Sequence, residues 1–385
     1  MRDHKLRIKP ADNRRELHNF IKVPWHIYQN DPAWVPPLLL DKKLQLSPKN
    51  PYFQHARAAF WTAWRGPVPV GRISAQVDRL HLERYRDNCG FFGFLEAEDN
   101  PETFAALLKT AETWLEKQGM RQIRGPCSLS INQECGLLIE GFETPPYIMM
   151  NHARPYYASH LEKLGYRKKK DLLAYLVEPW FKPPRAMTLA TRRMAGRITT
   201  RRLDTRKIGS EMELLGDIFN DAWSENWGFL PMTPAEIKQM GEELRYLVPR
   251  RGIIFAAVDG EPAGMIVGLP NLNEAIADLN GRLLPFGWAR LLWRLKVDYP
   301  ESGRVALMGI RKKFQHGTLG AALAFTLIDQ VRMHFCRMGV SEVEQSWILE
   351  DNEGMRKILE AIGSRISKRY RIYGRKLGQE IQPGK

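Results

Sequence analysis

RVALMGIRKKFQHGTLGAALAFTLIDQVRMHF (Arg304–Phe335) is the stretch of sequence that decides the fold. Its first seven residues have the apolar character of a strand, and Ala321–Phe335 has the apolar pattern of a long helix. A turn that contains glycine joins the two. Free backbone N–H groups and the positive end of a helix dipole converge at such a turn, so the pattern predicts a site for a phosphorylated ligand.

A second strand, SEVEQSWILE (Ser341–Glu350), and a short helix opened by Asp351-Asn352 follow this stretch. The turn itself, Gln315–Gly320, reads Q-x-x-T-x-G and lacks the signatures of a Walker loop or a Rossmann fingerprint. It resembles the Q/R-x-x-G-x-G/A loop of the GCN5-related N-acetyltransferase (GNAT) superfamily, with Thr318 in place of the first glycine. The resemblance implies that the loop amides hold the pyrophosphate of an acyl coenzyme A, and that neighbouring strands part beside the loop.

The composition indicates a folded protein of two domains. The chain has 385 residues, of which 44% are hydrophobic, and 11 tryptophans supply material for packed cores. No apolar run is long enough for a membrane span, and the charged N-terminal sequence lacks the apolar stretch of a signal peptide. The four cysteines have no CxxC or metal-ligand spacing. We therefore expect reduced thiols, no metal and a cytoplasmic location.

The net charge of +15 points to an anionic partner. Coenzyme A, an anionic lipid surface and nucleic acid all fit, and a basic surface with only a colloidal role remains an alternative.

The two halves of the chain follow one plan, which indicates an internal duplication. Each has two strand-like runs around a tight turn, then a strand, a long helix, another strand and a short helix. A final strand closes each half, DLLAYLVE (Asp171–Glu178) in the first and RYRIYGRKL (Arg369–Leu377) in the second. We predict an α/β fold with mixed sheets and two tandem GNAT-like modules, 1–182 and 201–385, joined by a basic linker, 183–200.

The modules differ at the turn where a coenzyme would bind. The first carries Glu96, Glu98, Asp99 and Glu102 there, and this acidic turn would repel a pyrophosphate. The sequence therefore predicts a degenerate first module and an active second module.

Segments spread over the chain resemble the bacterial ceramide synthase-like family, which includes the YghO-like proteins. They are INQECGLLI (Ile131–Ile139), PYIMMN (Pro146–Asn151) with Pro155–Tyr157, FNDAWSENWGF (Phe219–Phe229) and EQSWILEDN (Glu344–Asn352). The resemblance covers about Ile8 to Leu377. It implies transfer of a fatty acyl group from acyl-CoA to a lipid-like amine such as a sphingoid base.

The GNAT resemblance also implies which residues contact the coenzyme. Backbone amides at the end of the strand Val305–Ile310 would hold the thioester carbonyl, and the loop would hold the pyrophosphate. Arg311, Lys312 and Lys313 would steady it, although all three also fit a solvated surface turn. The expected coenzyme-binding residues are Met308, Ile310, Arg311, Gln315, His316, Gly317, Thr318, Leu319, Gly320 and Asn352.

The general base is less defined by the sequence. Glu225 and Asn226 lie between two tryptophans, and aromatic neighbours that exclude water would raise the pKa of a carboxylate. Glu225 could equally point to solvent while the tryptophans pack. Glu350 ends a strand where GNAT sites open, but it could instead cap the next helix. The tyrosine that many GNAT enzymes use as acid is replaced by Leu359. Either Tyr299, His316 or water supplies the proton, or coenzyme A leaves as the thiolate.

A long insertion separates Pro270 from Arg304. Its centre, LLPFGWARLLWRLK (Leu283–Lys296), predicts an amphipathic helix with arginine and lysine mostly off the apolar face. This pattern suits a membrane-surface helix or a lid over an acyl chain, and an ordinary core-covering helix is the alternative. The expected substrate-contacting residues are Trp223, Trp227, Trp288 and Trp347.

The leading hypothesis is therefore an acyl-CoA-dependent N-acyltransferase with a lipid-like amine acceptor and peripheral contact with an anionic membrane. Two alternatives remain, an aminoacyl-tRNA-dependent transferase and a non-catalytic protein that binds lipid or nucleic acid.

Overall fold

The computed structural model describes residues 5–247 and 252–378. These residues form two compact units. The first takes the described residues up to Leu172, residues 276–284, and those from Lys368 onward. The second takes Leu173–Ala275, without the undescribed residues, and Pro285–Ser367.

Among the described residues, fourteen α-helices and β-strands precede the second half of the chain, and the last of them runs from the first unit into the second. They are β1 (Leu6–Pro10), α1 (Arg14–Ile27), α2 (Leu39–Gln45), β2 (Ala56–Arg65), β3 (Val68–Asp78), α3 (Arg79–Tyr85), β4 (Cys89–Ala97), α4 (Pro101–Lys117), β5 (Gln122–Gly125), β6 (Cys127–Ser128), β7 (Glu134–Cys135), β8 (Leu137–Glu140), α5 (Tyr156–Lys163) and β9 (Arg167–Val177).

The second half adds thirteen elements. They are α6 (Arg185–Met194), β10 (Ile198–Arg202), α7 (Ile208–Ala222), α8 (Pro234–Leu247), β11 (Ile253–Val258), β12 (Glu261–Pro270), α9 (Leu272–Ile276), α10 (Gly287–Lys296), β13 (Ser302–Ile310), α11 (Gly317–Arg337), β14 (Glu342–Leu349), α12 (Glu353–Ala361) and β15 (Arg365–Lys376).

The two units repeat one strand pattern. In the first, β2–β3 and β3–β4 are antiparallel and β4–β5 is parallel. In the second, β11–β12 and β12–β13 are antiparallel and β13–β14 is parallel. A long helix follows the third strand of each set, α4 after β4 and α11 after β13. The predicted α/β class with two tandem modules is therefore confirmed.

The closing strands are exchanged between the repeats. β15, the last strand of the chain, pairs with β5 of the first unit through Tyr373–Lys376 and Gln122–Gly125. β9 instead neighbours β14, and its residues Leu173–Val177 belong to the second unit. The sequence analysis assigned each closing strand to the half that precedes it. The apolar pattern of a strand does not say which sheet edge it joins, so this assignment is wrong.

The division of the structure also differs from the predicted boundaries. Residues 276–284 of the long insertion belong to the first unit, where Trp25 Nε1 donates to Asn280 Oδ1 at 2.6 Å and Leu39 N donates to Gly281 O at 2.9 Å. The predicted linker 183–200 contains α6 and the beginning of β10. Met187 of α6 lies in the core that α11 covers.

The second unit has a core on each face of its sheet. Leu323, Leu327, Val331 and Phe335 recur every four residues along α11, and this apolar stripe packs on one face. Helices α7 and α8 cover the other face, where they pack against the strand residues Phe255, Met265 and Val267. The site described below lies at one end of this sheet.

Candidate functional site

Strands β13 and β14 part in the middle of their length. Their parallel register runs from Ser302 opposite Glu342 to Val305 opposite Gln345. β13 continues to Ile310 and stays paired with β12 over that length, whereas β14 continues to Leu349 without further pairing to β13. The described strands therefore open into a V, as the GNAT resemblance implies.

A β-bulge marks the point of parting. Val267 of β12 lies opposite Leu307 and Gly268 lies opposite Val305, so Ala306 is the extra residue of β13. Bulges bend a strand and re-aim its side chains and amides. From Val305 to Met308 the strand is only half-buried, although it is a central strand of the sheet. Backbone groups on this edge are thus accessible to a ligand that enters the V.

The N-terminus of α11 lies directly after this strand. His316 is the N-cap residue, and no side chain caps the helix. Gln315, His316, Gly317 and Thr318 are exposed, and Leu319 is half-buried. The first-turn amides of this 21-residue helix therefore offer hydrogen bonds and a positive dipole end to an anion.

Gly320 allows the loop to close tightly on the helix. A Cβ atom at this position would lie 2.1 Å from the carbonyl oxygen of Gln315 and 3.0 Å from that of Phe314. The Gln315 side chain holds the loop from the other side, because its Nε2 donates to Ile310 O at 2.7 Å and to Ala222 O at 3.2 Å. Gln315 thus shapes the loop through backbone carbonyls.

The basic residues that precede the loop are all engaged by carboxylates. Arg311 Nη2 donates to Asp217 Oδ2 at 2.5 Å, and Lys312 Nζ lies 3.4 Å from Glu225 Oε1. Lys313 forms an ion pair with Glu261. The backbone amide of Lys312 donates to a further carboxylate, Asp221, at 2.8 Å. These contacts anchor the start of the loop to α7 and β12. Contact of these cations with a phosphate stays a prediction.

Glu225 lies in the turn after α7. Its side chain is 81% exposed. The expected shelter from water between two tryptophans is therefore wrong, because the carboxylate points outward toward Lys312. Asn226 contributes to the turn through its backbone, which donates to Trp223 O at 2.8 Å and accepts from Phe229 N at 3.1 Å. Their roles in proton transfer stay predictions.

Trp223 lies against the strand that borders the V. A Cβ atom on Gly309 would lie 2.3 Å from the Trp223 ring, so the indole packs directly on the β13 backbone. Trp227 and Trp347 are half-buried, the latter on the unpaired end of β14. Met308 and Ile310 pack toward the core beneath α11. The structure thus brings Trp223 to the parted strand, while contact of any tryptophan with substrate stays a prediction.

The turn after β14 resolves the question of the helix cap. Asn352 Oδ1 accepts from Met355 N at 3.1 Å and is the N-cap of α12. Glu350 is therefore not the cap. Its carbonyl oxygen accepts from Arg356 Nη1 at 2.9 Å, and its side chain is half-buried.

The two protein groups named as alternative acids lie in different surroundings. Tyr299 packs against the core beneath α11, and burial raises the pKa of its hydroxyl. Among the described residues, no group forms a hydrogen bond with this buried hydroxyl. His316 is exposed at the start of α11.

Helix α10 is exposed on its apolar side. None of its residues is buried, and Trp288, Leu292 and Trp293 are 51%, 43% and 60% exposed. The neighbouring Phe286 and Val297 are 74% and 62% exposed. The largest apolar side chains of α10 therefore face solvent, whereas Leu291 and Leu295 are half-buried.

The first unit closes the corresponding positions. Pairing of β4 with β5 ends at Phe91, but the strand beyond is almost entirely buried. Strand β6 fills the space, because a Cβ atom on Gly93 would lie 2.1 Å from the Cys127 carbonyl oxygen. The N-terminus of α4 is capped by Asn100, and Pro101 removes an amide donor there. These contacts favour the predicted loss of coenzyme binding in this unit.

One group of possible metal ligands lies in the first unit. Nitrogen, oxygen and sulfur atoms of His81, Asp87 and Cys89 lie within 4.8 Å of one another. Arg124 is 2.9 Å from the second oxygen of Asp87, and burial raises the pKa of the Cys89 thiol to about 12. A neighbouring guanidinium and a protonated thiol oppose a cation, so a hydrogen-bonded cluster explains this group.

Sequence reasoning missed a buried polar group at the parting itself. Arg304, Glu344 and Ser346 are 4%, 0% and 4% exposed. The signal was present in the sequence, since charged residues interrupt the apolar alternation of both strands.

The fold and the parted strands place the chain in a structural class, since they match the fold of solved tandem GNAT proteins. A tandem GNAT protein from the clavulanic acid biosynthesis pathway aligns over 98% of this chain and 100% of its own, with a TM-score of 0.56 and 14% identity. A GCN5-related N-acetyltransferase from Sphaerobacter thermophilus aligns over 98% of this chain and 97% of its own, with a TM-score of 0.54 and 13% identity. At these identities the likeness concerns the fold alone.

Sequence relatives define the family more narrowly. The chain is 47% identical to Protein YghO of Escherichia coli (strain K12) over 95% of its length and 94% of the relative. It is 42% identical to the bacterial ceramide synthase of Caulobacter vibrioides (strain NA1000 / CB15N) over 97% of its length and 98% of the relative. The chain belongs to the family of these two proteins, as the sequence analysis predicted. No protein-family model matches it.

Helices that could cross a bilayer are absent from the described residues, since none is both long and apolar enough.

Proposed function

We propose that the second unit transfers a fatty acyl group from acyl-CoA to the amine of a lipid-like acceptor such as a sphingoid base. The observation that carries this proposal is the accessible V between β13 and β14 beside the uncapped N-terminus of α11. A pyrophosphate over the α11 amides would direct the pantetheine arm into the V. The name of the Caulobacter relative supports the choice of product, since ceramide synthesis joins a fatty acyl group to an amine.

The residues of this site suit thioester aminolysis. Amide formation needs a free amine, stabilisation of the tetrahedral oxyanion and protonation of the leaving thiolate. Backbone amides on the half-buried segment Val305–Met308 would hold the thioester carbonyl. Gln315 and Gly320 would keep the pyrophosphate loop in shape. Trp223, packed over Gly309, would exclude water from one side of the thioester.

A transfer assay tests the proposal. Purified full-length chain is incubated with palmitoyl-CoA or acetyl-CoA and a sphingoid base, and the N-acyl product is measured by mass spectrometry together with released thiol. We expect N-acyl product from palmitoyl-CoA and none from a Gly320→Glu variant, because the glutamate would fill and repel the pyrophosphate position. Absence of product with every acyl donor and amine offered would refute the proposal.

Thermal stabilisation separates the two alternative functions. A ligand that binds only the folded state raises its apparent stability by mass action. We expect palmitoyl-CoA to stabilise the wild type and not the Gly320→Glu variant. Stabilisation by tRNA alone, with steep salt dependence, would favour an aminoacyl-tRNA-dependent transferase instead. Stabilisation by vesicles alone would favour a lipid-binding protein without activity.

We further propose that α10 binds the surface of an anionic membrane, which would place the protein on the cytoplasmic face of the inner membrane. Its exposed tryptophans are suited to the headgroup region. Four basic and no acidic side chains lie between Asp278 and Asp298. Each basic residue near an anionic surface adds roughly 1 kcal/mol of attraction. Both a fatty acyl-CoA and a lipid-like amine partition to such a surface.

Vesicle sedimentation tests this surface. We expect binding to phosphatidylglycerol vesicles, weak binding to phosphatidylcholine vesicles, and loss of binding in Trp288→Ala/Trp293→Glu. Trp180→Ala is the matched control, since this indole is 63% exposed elsewhere in the same unit. Equal binding of the double variant and the wild type would contradict the proposed role of α10.

A further inference from the structure

Three buried polar side chains lie where the two strands of the second unit part. Arg304 and Glu344 occupy opposed positions in β13 and β14, one register before the last pair. Ser346 is the first residue of β14 beyond the last pair. All three side chains are almost completely shielded from water in the absence of substrate. They therefore lie within one register of the last pair, Val305 opposite Gln345, at the start of the V.

Their hydrogen bonds fix the direction of the serine hydroxyl. Arg304 Nε donates to Ser346 Oγ at 2.9 Å, and Arg304 Nη2 donates to the Ser346 carbonyl oxygen at 3.0 Å. The Ser346 hydroxyl in turn donates to Glu344 Oε1. The Arg304 guanidinium lies 3.9 Å from that carboxylate oxygen. The hydroxyl proton thus already points at a carboxylate.

The group lies on the face of the sheet opposite α11. A Cβ atom on Gly303 would lie 2.4 Å from Phe335 of α11, and Val343 belongs to the core beneath that helix. Side chains alternate along a strand, so Arg304 and Glu344 point to the other face, which α7 covers. An acceptor on this face would meet a thioester in the V from the side opposite α11.

Stability alone does not account for this arrangement. A buried ion pair seldom stabilises a fold more than well-packed apolar side chains would. The pairs between β12 and β13 farther along the V are apolar or glycine, such as Met265 opposite Gly309. The charged group thus lies where the strands begin to separate, next to the half-buried segment Val305–Met308.

We propose, on the basis of the proposed N-acyltransferase function, that Ser346 and Glu344 take the proton from the acceptor amine, with Arg304 as a positioning residue. The amine nitrogen forms a bond to the thioester carbonyl carbon, and the carbon–sulfur bond breaks. The nitrogen gives its proton to Ser346 Oγ while the serine proton passes to the Glu344 carboxylate. Coenzyme A leaves as the thiolate, and the carboxyl proton is released to solvent or to that thiolate.

Steady-state kinetics with palmitoyl-CoA and the amine that the wild type accepts test this inference. We compare Glu344→Gln and Ser346→Ala with the wild type, and measure acyl-CoA binding to each by calorimetry. Glu211→Gln is the matched control. Glu211 is also a buried carboxylate of the second unit, and it pairs with Arg201 at 2.6 Å, but it lies beside β10 at the far edge of the sheet.

We expect kcat to fall about 10²–10⁴-fold in Glu344→Gln, the range for loss of a general base, with the Kd for palmitoyl-CoA retained. Ser346→Ala should lower kcat by about tenfold or more without raising the KM for either substrate, because only the transition state uses the relay. Glu211→Gln should keep the wild-type kcat. If Glu344→Gln does not fold, Ser346→Ala decides the question alone, since it removes one oxygen atom.

The results distinguish this inference from the function on which it rests. Wild-type kcat in Ser346→Ala or in folded Glu344→Gln would overturn the inference and leave the N-acyltransferase proposal standing. Parallel loss of kcat and of palmitoyl-CoA binding would assign the group a structural role and also overturn it. A wild type without any transfer would refute both.

Discussion

The substitution Gly320→Ala tests the pyrophosphate loop with a single added methyl group. The new Cβ atom would lie 2.1 Å from the Gln315 carbonyl oxygen and 2.4 Å from its carbonyl carbon. Both contacts are to backbone, so no side chain can rotate away. The loop must move from the helix by about 1 Å to restore van der Waals contact. The amides at the start of α11 would then no longer converge on one position.

The loss of affinity follows from the hydrogen bonds that this movement breaks. A hydrogen bond to a charged group contributes about 1.5–3 kcal/mol. If two amide–phosphate bonds are lost, the binding free energy falls by about 3–6 kcal/mol, which is roughly a 10²–10⁴-fold increase in Kd. The loop is exposed from Gln315 to Thr318, so we expect a smaller change in the free energy of unfolding than in the binding free energy.

Titration calorimetry with palmitoyl-CoA measures Kd, and urea denaturation measures stability. Gly209→Ala is the control, because Gly209 lies in α7 of the same unit and a Cβ atom there meets nothing within 4 Å. We expect an unchanged Kd in this control, with stability increased by about 0.4–1 kcal/mol. A Kd for Gly320→Ala within about threefold of wild type would refute the amide-loop reasoning, since the clash is certain to displace the loop.

Three further substitutions test the closed first unit, a helix cap and an ion pair. Gly93→Ala would press a methyl group into β6, and urea denaturation should show that the free energy of unfolding falls by roughly 1–3 kcal/mol. Palmitoyl-CoA binding should be unchanged, and weaker binding would implicate the first unit in the site. Asn352→Ala removes the cap of α12, and urea denaturation should show that the free energy of unfolding falls by about 0.5–2 kcal/mol. Asn352→Asp should keep most of the wild-type stability, because its carboxylate can accept the same hydrogen bond. Burial raises the pKa of Asp171, but hydrogen bonds from Arg371 and Lys168 outweigh this effect and leave the pKa below its ordinary value. The ionised form therefore contributes stability above about pH 4, and this contribution is lost as the pH falls through the folded-state pKa. Urea denaturation should show a smaller deficit in the free energy of unfolding for Asp171→Asn at pH 3 than at pH 7. An equal deficit at both pH values would contradict the linkage.

The order of elements was readable from the sequence because each has a local cause. The four-residue apolar repeat of α11 and the alternation in the strand pairs define element type without tertiary information. The exchange of β9 and β15 was not readable. Both strands present the same apolar pattern, and the choice of sheet edge depends on contacts between residues far apart in the chain.

The uncapped helix N-terminus at Gln315–Gly320 was predictable for a similar reason, and its contact with a coenzyme stays a prediction. Its amides belong to one short continuous segment, Gln315–Gly320, so their convergence is a local property. The environments of Glu225 and Arg304 were not predictable. Whether a charged side chain faces water or the interior depends on which elements cover it, and Glu225 points outward whereas Arg304 is buried.

The sequence by itself determined the family, the repeated α/β plan and the segment that offers its amides to an anion, because these follow from identities and spacings within short stretches. Only the tertiary structure decided that the V of the second unit is open while that of the first is filled by β6. The tertiary structure alone also brought Arg304, Ser346 and Glu344 together in one hydrogen-bonded group. Those features depend on side chains from separate strands meeting in space, and no local pattern encodes such a meeting.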